Sequence, residues 1–413
     1  MTDQDSQDQD AQCSFCGAHR NDGINLIAGP VFERNQLYIC EICVDKCHSV
    51  LNEGDDEVAD VGVSTKSSKR IKVLTPEQIK AGLDQYVVGQ DSAKIAMAVA
   101  IYNHYKRVRN KTNVELDKSN MLLIGPSGSG KTHMVKTIAR MFNLPYVIAD
   151  ATSITESGYS GDDASDIIGR LISNADGDLE MAQRGVVFVD EIDKKSKKNE
   201  SSTFGRDVSG EGVQQALLKL IEGTVVEVMT DDDEIVEFDT SNILFVFSGA
   251  FVGLADIIQK NRTKTSIGFG ANVTSAAATT LKSVNAQDLI KYGMIPEFIG
   301  RCPVTVVFDE LTAETLVRIL KEPKNSIVSQ FQTLFKMDNI RLEFDEEYLE
   351  SVARECISTK LGARGLRAII EQHLQSTQFM LPRLAKEGVN KLTVDASGAI
   401  KHHYRAKRRV NAA

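Results

Sequence analysis

Three groups of residues have types and spacings that could do chemistry. The first is Gly125-Pro126-Ser127-Gly128-Ser129-Gly130-Lys131-Thr132, which fits the phosphate-loop spacing G-x-x-x-x-G-K-[ST]. Glycines there let backbone N–H groups turn toward phosphate oxygens, and a following helix adds its positive end. Lys131 would neutralise the β- and γ-phosphates, and the Thr132 hydroxyl would ligate Mg²⁺. The second group is Asp190-Glu191, directly after the apolar run Val186–Val189. Asp190 would support the same Mg²⁺, with Glu191 polarising an attacking water as a base. The third group is two CxxC pairs, Cys13/Cys16 and Cys40/Cys43. Each pair offers two thiolates to one tetrahedral ion, so together they complete a zinc shell. Cys47 and His48 are competing ligands in the same stretch, with Cys47 read as a buried helix residue. A redox-active pair is the alternative, although a single catalytic pair does not explain two in tandem.

These groups need particular elements to hold them. Met121–Ile124 reads as a strand entering the glycine loop, and Met134–Phe142 as the helix leaving it. Further strands are expected near residues 147, 187, 245 and 306, with helical patterns between them. That alternation predicts an α/β fold with a parallel sheet, whose ligands collect at the carboxyl ends of the strands. Thr75-Pro76 marks a helix start, with helical spacing over Ala93–Tyr105. Val213–Glu222 is expected to be an amphipathic helix after a polar loop, Ser201–Glu211. From Leu311 onward the pattern is mainly helical, with Lys391–Val394 as a small edge strand and Lys401–Arg409 as a basic solvated tail. The cysteine module spans about forty residues, too few to hold itself by burial. Structural zinc, worth roughly 10–16 kcal/mol in finger peptides, would supply the deficit.

Three loops stand out. Gly158-Tyr159-Ser160-Gly161 sets an aromatic between glycines, a packing anchor on its own terms. Thr230–Glu234 is an acidic turn. Lys264–Leu281 is small and polar except for Ile267-Gly268-Phe269, a candidate docking peptide.

The chain has 413 residues, 42% hydrophobic and 25% charged, with a formal net charge of −9. The acidic balance argues against nonspecific nucleic-acid binding, which needs a basic field. The start carries Asp3, Asp5, Asp8 and Asp10, unlike a secretory leader, and the longest apolar stretch, Ile243–Ala255, is too short to span a bilayer. Seven cysteines, four of them in CxxC pairs, suit metal ligation in a reducing cytoplasm. The expected organisation is a disordered tail (1–11), a zinc-binding domain (12–52), a flexible acidic-to-basic linker (53–72), a large ATPase domain (73–309), a small C-terminal domain (310–400) and a basic tail (401–413).

Beyond these local readings, the chain resembles the ClpX-type AAA+ unfoldases from Cys13 to about Val394. The likeness is carried most specifically by Arg206–Gln215, by Ile295-Pro296-Glu297-Phe298-Ile299-Gly300-Arg301 and by Gly362-Ala363-Arg364-Gly365-Leu366-Arg367. The resemblance implies an AAA+ P-loop NTPase core, a smaller mainly helical C-terminal domain and an N-terminal zinc module that dimerises and receives substrates or adaptors. It implies an ATP hydrolase without peptidase activity, working as a homohexamer that threads proteins through its pore into the ClpP peptidase. Cys13, Cys16, Cys40 and Cys43 take the zinc-ligand positions, and Val87 and Val88, within Val87–Gln90, the adenine-contacting segment. Arg301 takes the position of an arginine finger and Arg364 that of a sensor arginine. Tyr159 and Ser160 fall in the first pore loop, Ser201–Arg206 in the second, and Ile267, Gly268 and Phe269 in the ClpP-docking tripeptide. Two positions depart from the family: Ser160 replaces a valine, and Asp231-Asp232-Asp233-Glu234 replaces a basic loop at the pore entrance. A stand-alone remodelling chaperone and a DNA-dependent AAA+ ATPase are the competing readings.

Overall fold

The computed structural model describes residues 12–19, 24–32, 35–44, 47, 74–109, 114, 116–154, 164–197, 208–230, 234–265, 281–359 and 361–404. The chain divides into two compact units, Met1–Lys69 and Arg70–Ala413. Tyr159, Ser160, Ser201–Arg206, Asp231–Asp233, Ile267, Gly268 and Phe269 lie outside the described residues, as do the linker and both ends of the chain.

The first unit is built on an antiparallel pair, β1 (Leu26–Phe32) and β2 (Asn35–Cys40), with an irregular register between Ala28 and Val31. A tight turn at Cys13–Gly17 docks on it: Ser14 N–H donates to the Tyr38 carbonyl at 2.8 Å, and the Tyr38 N–H donates to Ser14 Oγ at 3.1 Å. Its buried core is three sulfurs, those of Cys13, Cys40 and Cys43.

The second unit begins with α1 (Pro76–Asp84) and α2 (Asp91–Arg109). Thr75 caps α1 through a reciprocal capping box with Gln78, and Pro76 fills the first helical position, as the sequence predicts. Then follow β3 (Met121–Ile124), α3 (Lys131–Phe142), β4 (Tyr146–Asp150), α4 (Ala164–Ser173), α5 (Leu179–Ala182), β5 (Val186–Asp190) and α6 (Val208–Glu222). After a hairpin of β6 (Val225–Met229) and β7 (Ile235–Asp239) come β8 (Leu244–Gly249), α7 (Leu254–Thr265), α8 (Ala286–Tyr292), α9 (Pro296–Gly300) and β9 (Val304–Val307).

Five strands form one parallel sheet in the order β4-β5-β8-β3-β9, so the glycine-loop strand lies inside the sheet, between β8 and β9. Strand alternation explains the two cores. Leu122, Ile124, Val187, Val189, Phe245 and Phe247 point to one face, where α4 and α6 cover them. Met121, Leu123, Val186, Phe188, Leu244 and Val246 point to the other, against α1, α2 and α3. Burial on both faces is why these strands read as unbroken apolar runs rather than alternating ones.

The C-terminal portion comprises α10 (Ala313–Lys321), α11 (Ile327–Met337), β10 (Arg341–Phe344), α12 (Glu346–Ser358), α13 (Ala363–Lys386), β11 (Val389–Val394) and β12 (Ile400–Tyr404). It has its own apolar core, including Leu316, Phe331, Phe335, Leu366 and Leu374.

Several expectations change. The strand at Lys391–Val394 is central rather than an edge, because β12 pairs with it antiparallel. Consequently Lys401–Tyr404 belong to a strand, not to a basic tail; residues 405–413 lie outside the described residues. An Asp395 turn makes that hairpin: its Oδ1 accepts the N–H groups of Ser397 and Ala399, and Gly398 sits at φ +80°. Lys401 is tied to Asp395 at 3.1 Å, so its charge serves the turn. Helix α6 starts at Val208, inside the stretch expected to be loop to Glu211. Cys47 is half-buried rather than buried. The acidic run is flanked by paired strands: Thr230 N–H and Oγ1 both donate to the Glu234 carbonyl, at 2.9 and 3.1 Å. Among the described residues no helix is long and apolar enough to cross a membrane.

Candidate nucleotide site and cysteine cluster

The glycine loop leaves β3 at the carboxyl edge of the sheet. Gly125 sits over Phe308, where any Cβ would meet the Phe308 Cβ at 2.7 Å and its carbonyl oxygen at 2.8 Å. Gly128 and Gly130 are left-handed, at φ +74° and +99°. These positions need glycine for backbone reasons, which is why the loop can wrap with its N–H groups inward.

Lys131 opens α3 and is buried. Its Nζ donates to the carbonyls of Gly125 (2.7 Å) and Pro126 (2.9 Å), closing the loop on itself. Burial pulls the Lys131 ammonium down to about 8, opposed by the Asp190 carboxylate and reinforced by the Arg364 guanidinium. Ser129 Oγ is buried without a partner. A buried ammonium with only neutral acceptors, beside an orphaned hydroxyl, is a site chemically matched to an anion.

Asp190 ends β5. Thr132 Oγ1 donates to its Oδ2 at 3.0 Å, and Ser248 Oγ, at the end of β8, donates to its Oδ1. Glu191 follows with φ +59°, a left-handed conformation rare for a non-glycine residue. Sequence reasoning identified Thr132, Asp190 and Glu191 but not Ser248, which only the β5–β8 pairing brings alongside. It also missed Asp193, which is buried and accepts the N–H groups of Ala250 (3.3 Å) and Phe251 (3.2 Å), fixing the turn after β5 to the end of β8.

The glycine loop opens into a cavity of about 980 Å³. One wall carries Ser127–Thr132, Asp190 and Glu191; a second carries Val87 and Val88; a third comes from the C-terminal portion, through Leu311, Ile319, Ile327 and Arg364. The lining thus combines the phosphate loop and its acids with apolar side chains, a composition that suits a nucleotide's phosphates and base. Arg364 reaches the cavity because two glycines allow backbone to meet backbone. A Cβ on Gly128 would lie 2.6 Å from the Leu361 carbonyl oxygen, and one on Gly362 2.8 Å from that of Ser127. Ala363 N–H donates across this contact to the Gly128 carbonyl at 3.2 Å.

Arg301 is placed differently. Its carbonyl accepts from Asn120 Nδ2 (3.0 Å), just before the start of β3, and its guanidinium pairs with Glu222 at 3.0 Å. It therefore sits at the amino edge of the sheet, a four-residue strand (about 13 Å) from the glycine loop of its own chain.

In the N-terminal unit the sulfurs of Cys13, Cys16, Cys40 and Cys43 all lie within 4.8 Å of one another. Among the described residues Cys47 is not part of that group, which decides against it as a ligand; His48 lies outside the described residues. Backbone N–H groups point at the sulfurs: Cys40 N–H to Cys13 Sγ at 3.3 Å, and Cys43 N–H to Cys40 Sγ at 3.4 Å. Burial pushes the Cys13 thiol up, but the N–H groups of Cys16, Phe15 and Cys40 outweigh it and lower it to about 6. Burial and neighbouring sulfurs push Cys43 up, and burial raises Cys40 as well. Four converging sulfurs with N–H donors aimed at them fit a tetrahedral, thiolate-only zinc shell.

The sequence matches three family models. Residues 11–53 match the ClpX C4-type zinc finger. Residues 116–305 match the AAA domain (Cdc48 subfamily), which implies ATP binding and ATPase activity. Residues 311–389 match the C-terminal, D2-small domain of ClpB protein. A zinc finger of that type, an AAA core with its phosphate loop on an interior strand of the sheet, and a small C-terminal domain lining the cavity make the chain a ClpX-like AAA+ protein.

Proposed function

We propose that the protein is an ATP-driven unfoldase that works as a homohexamer in the cytoplasm, pulling substrate proteins through a central pore and delivering them to the ClpP peptidase. The observation that carries this is the composition of the cavity. Lys131, Thr132, Asp190 and Glu191 come from the sheet edge, whereas Arg364 comes from a portion with its own core. A ligand bound there touches two bodies, so its gain and loss can change the angle between them.

The chain's residues divide the work. Lys131 gives up its carbonyl contacts to meet phosphate oxygens, and the phosphate loop supplies inward N–H groups. Thr132 and Asp190 would hold Mg²⁺, which supplies charge neutralisation between the β- and γ-phosphates. Glu191 orients and deprotonates the attacking water. Val87 and Val88 face the base. Arg301 lies on the far edge from its own cavity, which supports its use in a neighbour's, as an arginine acting in trans on developing phosphoryl charge. Hydrolysis would then require the ring. Tyr159 would grip the translocating chain and Ile267-Gly268-Phe269 would dock in clefts of ClpP.

The acidic Asp231–Glu234 loop and Ser160 are read as altering substrate choice. On the exposed face of the β6–β7 hairpin Glu227 stands directly opposite Glu237, and Met229 opposite Ile235. An acidic and apolar surface favours basic, apolar substrate ends over carboxylate-rich ones. At low salt, basic-tailed reporters should outcompete acidic-tailed ones; equal preference removes this part of the reading.

The test is ATP-dependent degradation of a stable folded reporter with ClpP added, comparing the parent with Glu191→Gln. The parent should consume both ATP and reporter. The variant should bind ATP yet do neither, with hydrolysis reduced roughly 100-fold or more. Brisk hydrolysis by an assembled ring that never moves a protein would overturn the proposal.

A further inference from the structure

Gln90 follows Gly89, and both are left-handed, at φ +58° and +63°. The turn throws the Gln90 side chain away from the nucleotide cavity, whose wall takes Val87 and Val88 instead. Gln90 is buried, and every polar atom of its amide is used. Nε2 donates to the Asp309 carbonyl at 2.9 Å, and Oε1 accepts the Asp309 N–H at 2.8 Å. These two bonds form a closed pair, as a neighbouring strand residue would make. Nε2 also reaches the carbonyl of Ser129, in the phosphate loop, at 3.4 Å.

The two partners are functionally distinct. Ser129 lies between Gly128, which touches the start of α13, and Lys131. Asp309 follows β9, anchored by the Phe308 N–H on the Ile124 carbonyl at 2.7 Å. Two residues on, Leu311 lines the cavity, and Thr312 caps α10, the first helix of the C-terminal portion. Asp309 is thus the last fixed point before the chain passes between the two bodies. The base of Gln90 is itself rigid: Lys94 N–H donates to the Gln90 carbonyl at 2.9 Å, and Lys94 Nζ binds both Asp84 and the Val87 carbonyl at 2.7 Å. A rigid mount, a fully used amide, and one partner in the phosphate loop with the other at the entry to the C-terminal portion describe a strut.

We propose that Gln90 is a positioning residue that transmits nucleotide occupancy from the phosphate loop to the junction at Asp309, through the amide that joins Ser129 to the Asp309 backbone. The proposal rests on the cavity being an ATP site in a two-body motor. When the phosphate loop adjusts to a bound phosphate, the Ser129 carbonyl moves relative to Gln90, and the paired bonds carry that shift to the hinge.

The full-length protein with Gln90→Glu and, separately, Gln90→Met tests this. Glutamate keeps the size but sets an oxygen against two carbonyl acceptors, and methionine removes all three bonds with little change of volume. Hydrogen exchange is measured with and without ATPγS. In the parent, peptides of the phosphate loop and of Asp309–Lys321 should gain protection together. In both variants the phosphate-loop peptides should still respond, while the Asp309–Lys321 response falls at least fivefold. ATP consumed per reporter molecule unfolded should rise at least tenfold, a change that lowered stability alone would not cause.

Parental coupling in both variants overturns the proposal, even if their melting temperatures fall. A phosphate loop that no longer responds in both variants also overturns it, by placing Gln90 in binding rather than transmission. If the parent couples the two segments but unfolds no reporter, the unfoldase reading fails while the exchange comparison still decides the role of Gln90. If the parent's phosphate loop ignores ATPγS, the ATP-site reading and the strut fall together.

Discussion

In the N-terminal unit the buried core is three cysteines with Ala18, Ile24, Leu26 and Ile39 half-buried around them. In the nucleotide-binding unit each strand of a five-stranded sheet feeds apolar side chains to two opposite faces, and a third core closes the C-terminal portion. The first has almost no apolar surface to hide, so its order must come from a bonded ion; the second needs none. The difference shows where each unit is vulnerable. Metal chemistry makes a small module all-or-none, whereas distributed burial lets the larger unit keep strained and charged features at its site. Lys131 and the left-handed Glu191 and Gln90 are such features.

The sharpest way to break the comparison is to remove the metal. Chelation, or Cys40→Ser, should abolish exchange protection over β1 and β2, because roughly 10–16 kcal/mol of metal binding is lost. Protection of α3 and ATP binding should remain; loss of both together would show that the units are not independent. Next in size is Phe245→Ala. Phe245 is fully buried on β8, and Lys118 lies 5.4 Å above its ring. The change should cost about 3–5 kcal/mol in denaturant unfolding of the larger unit. The zinc content of the first unit should not change.

Gly362→Ala should have a smaller effect. It places a side chain at φ +59° and against the Ser127 carbonyl, costing on the order of 1–3 kcal/mol. Because this contact brings Arg364 to the cavity, ATP affinity should fall by about tenfold, measured by calorimetry. The smallest effect concerns pH. Without nucleotide, burial holds Lys131 at about 8, and phosphates favour its charged form. Affinity for a nonhydrolysable ATP analogue is therefore full well below pH 8 and declines above it, by about eightfold between pH 7.5 and 9. A flat profile would mean that Lys131 keeps its proton without an anion.

Much of the site was legible because its signals are local. The glycine loop, Asp190-Glu191 and the two CxxC pairs are spacings within a few residues, set by what one turn or one strand end can present. Strands β3, β5 and β8 were visible because burial on both faces leaves an apolar run. Strand β12 was hidden by its own composition: Ile400-Lys401-His402-His403-Tyr404 reads as basic, although the Asp395–Gly398 turn before it signals a hairpin.

The sequence by itself determined the phosphate loop, the paired acids, the four sulfur ligands and the family, since each depends on bonds along a short piece of chain. Only the tertiary structure decided that Ser248 meets Asp190, that Arg301 stands on the far edge from its own cavity, and that Gly128 touches Gly362. It likewise joined Gln90 to Asp309, 219 residues away. Such contacts follow from which strand lies beside which and how closely two backbones approach, and neither is written in the spacing of neighbouring residues.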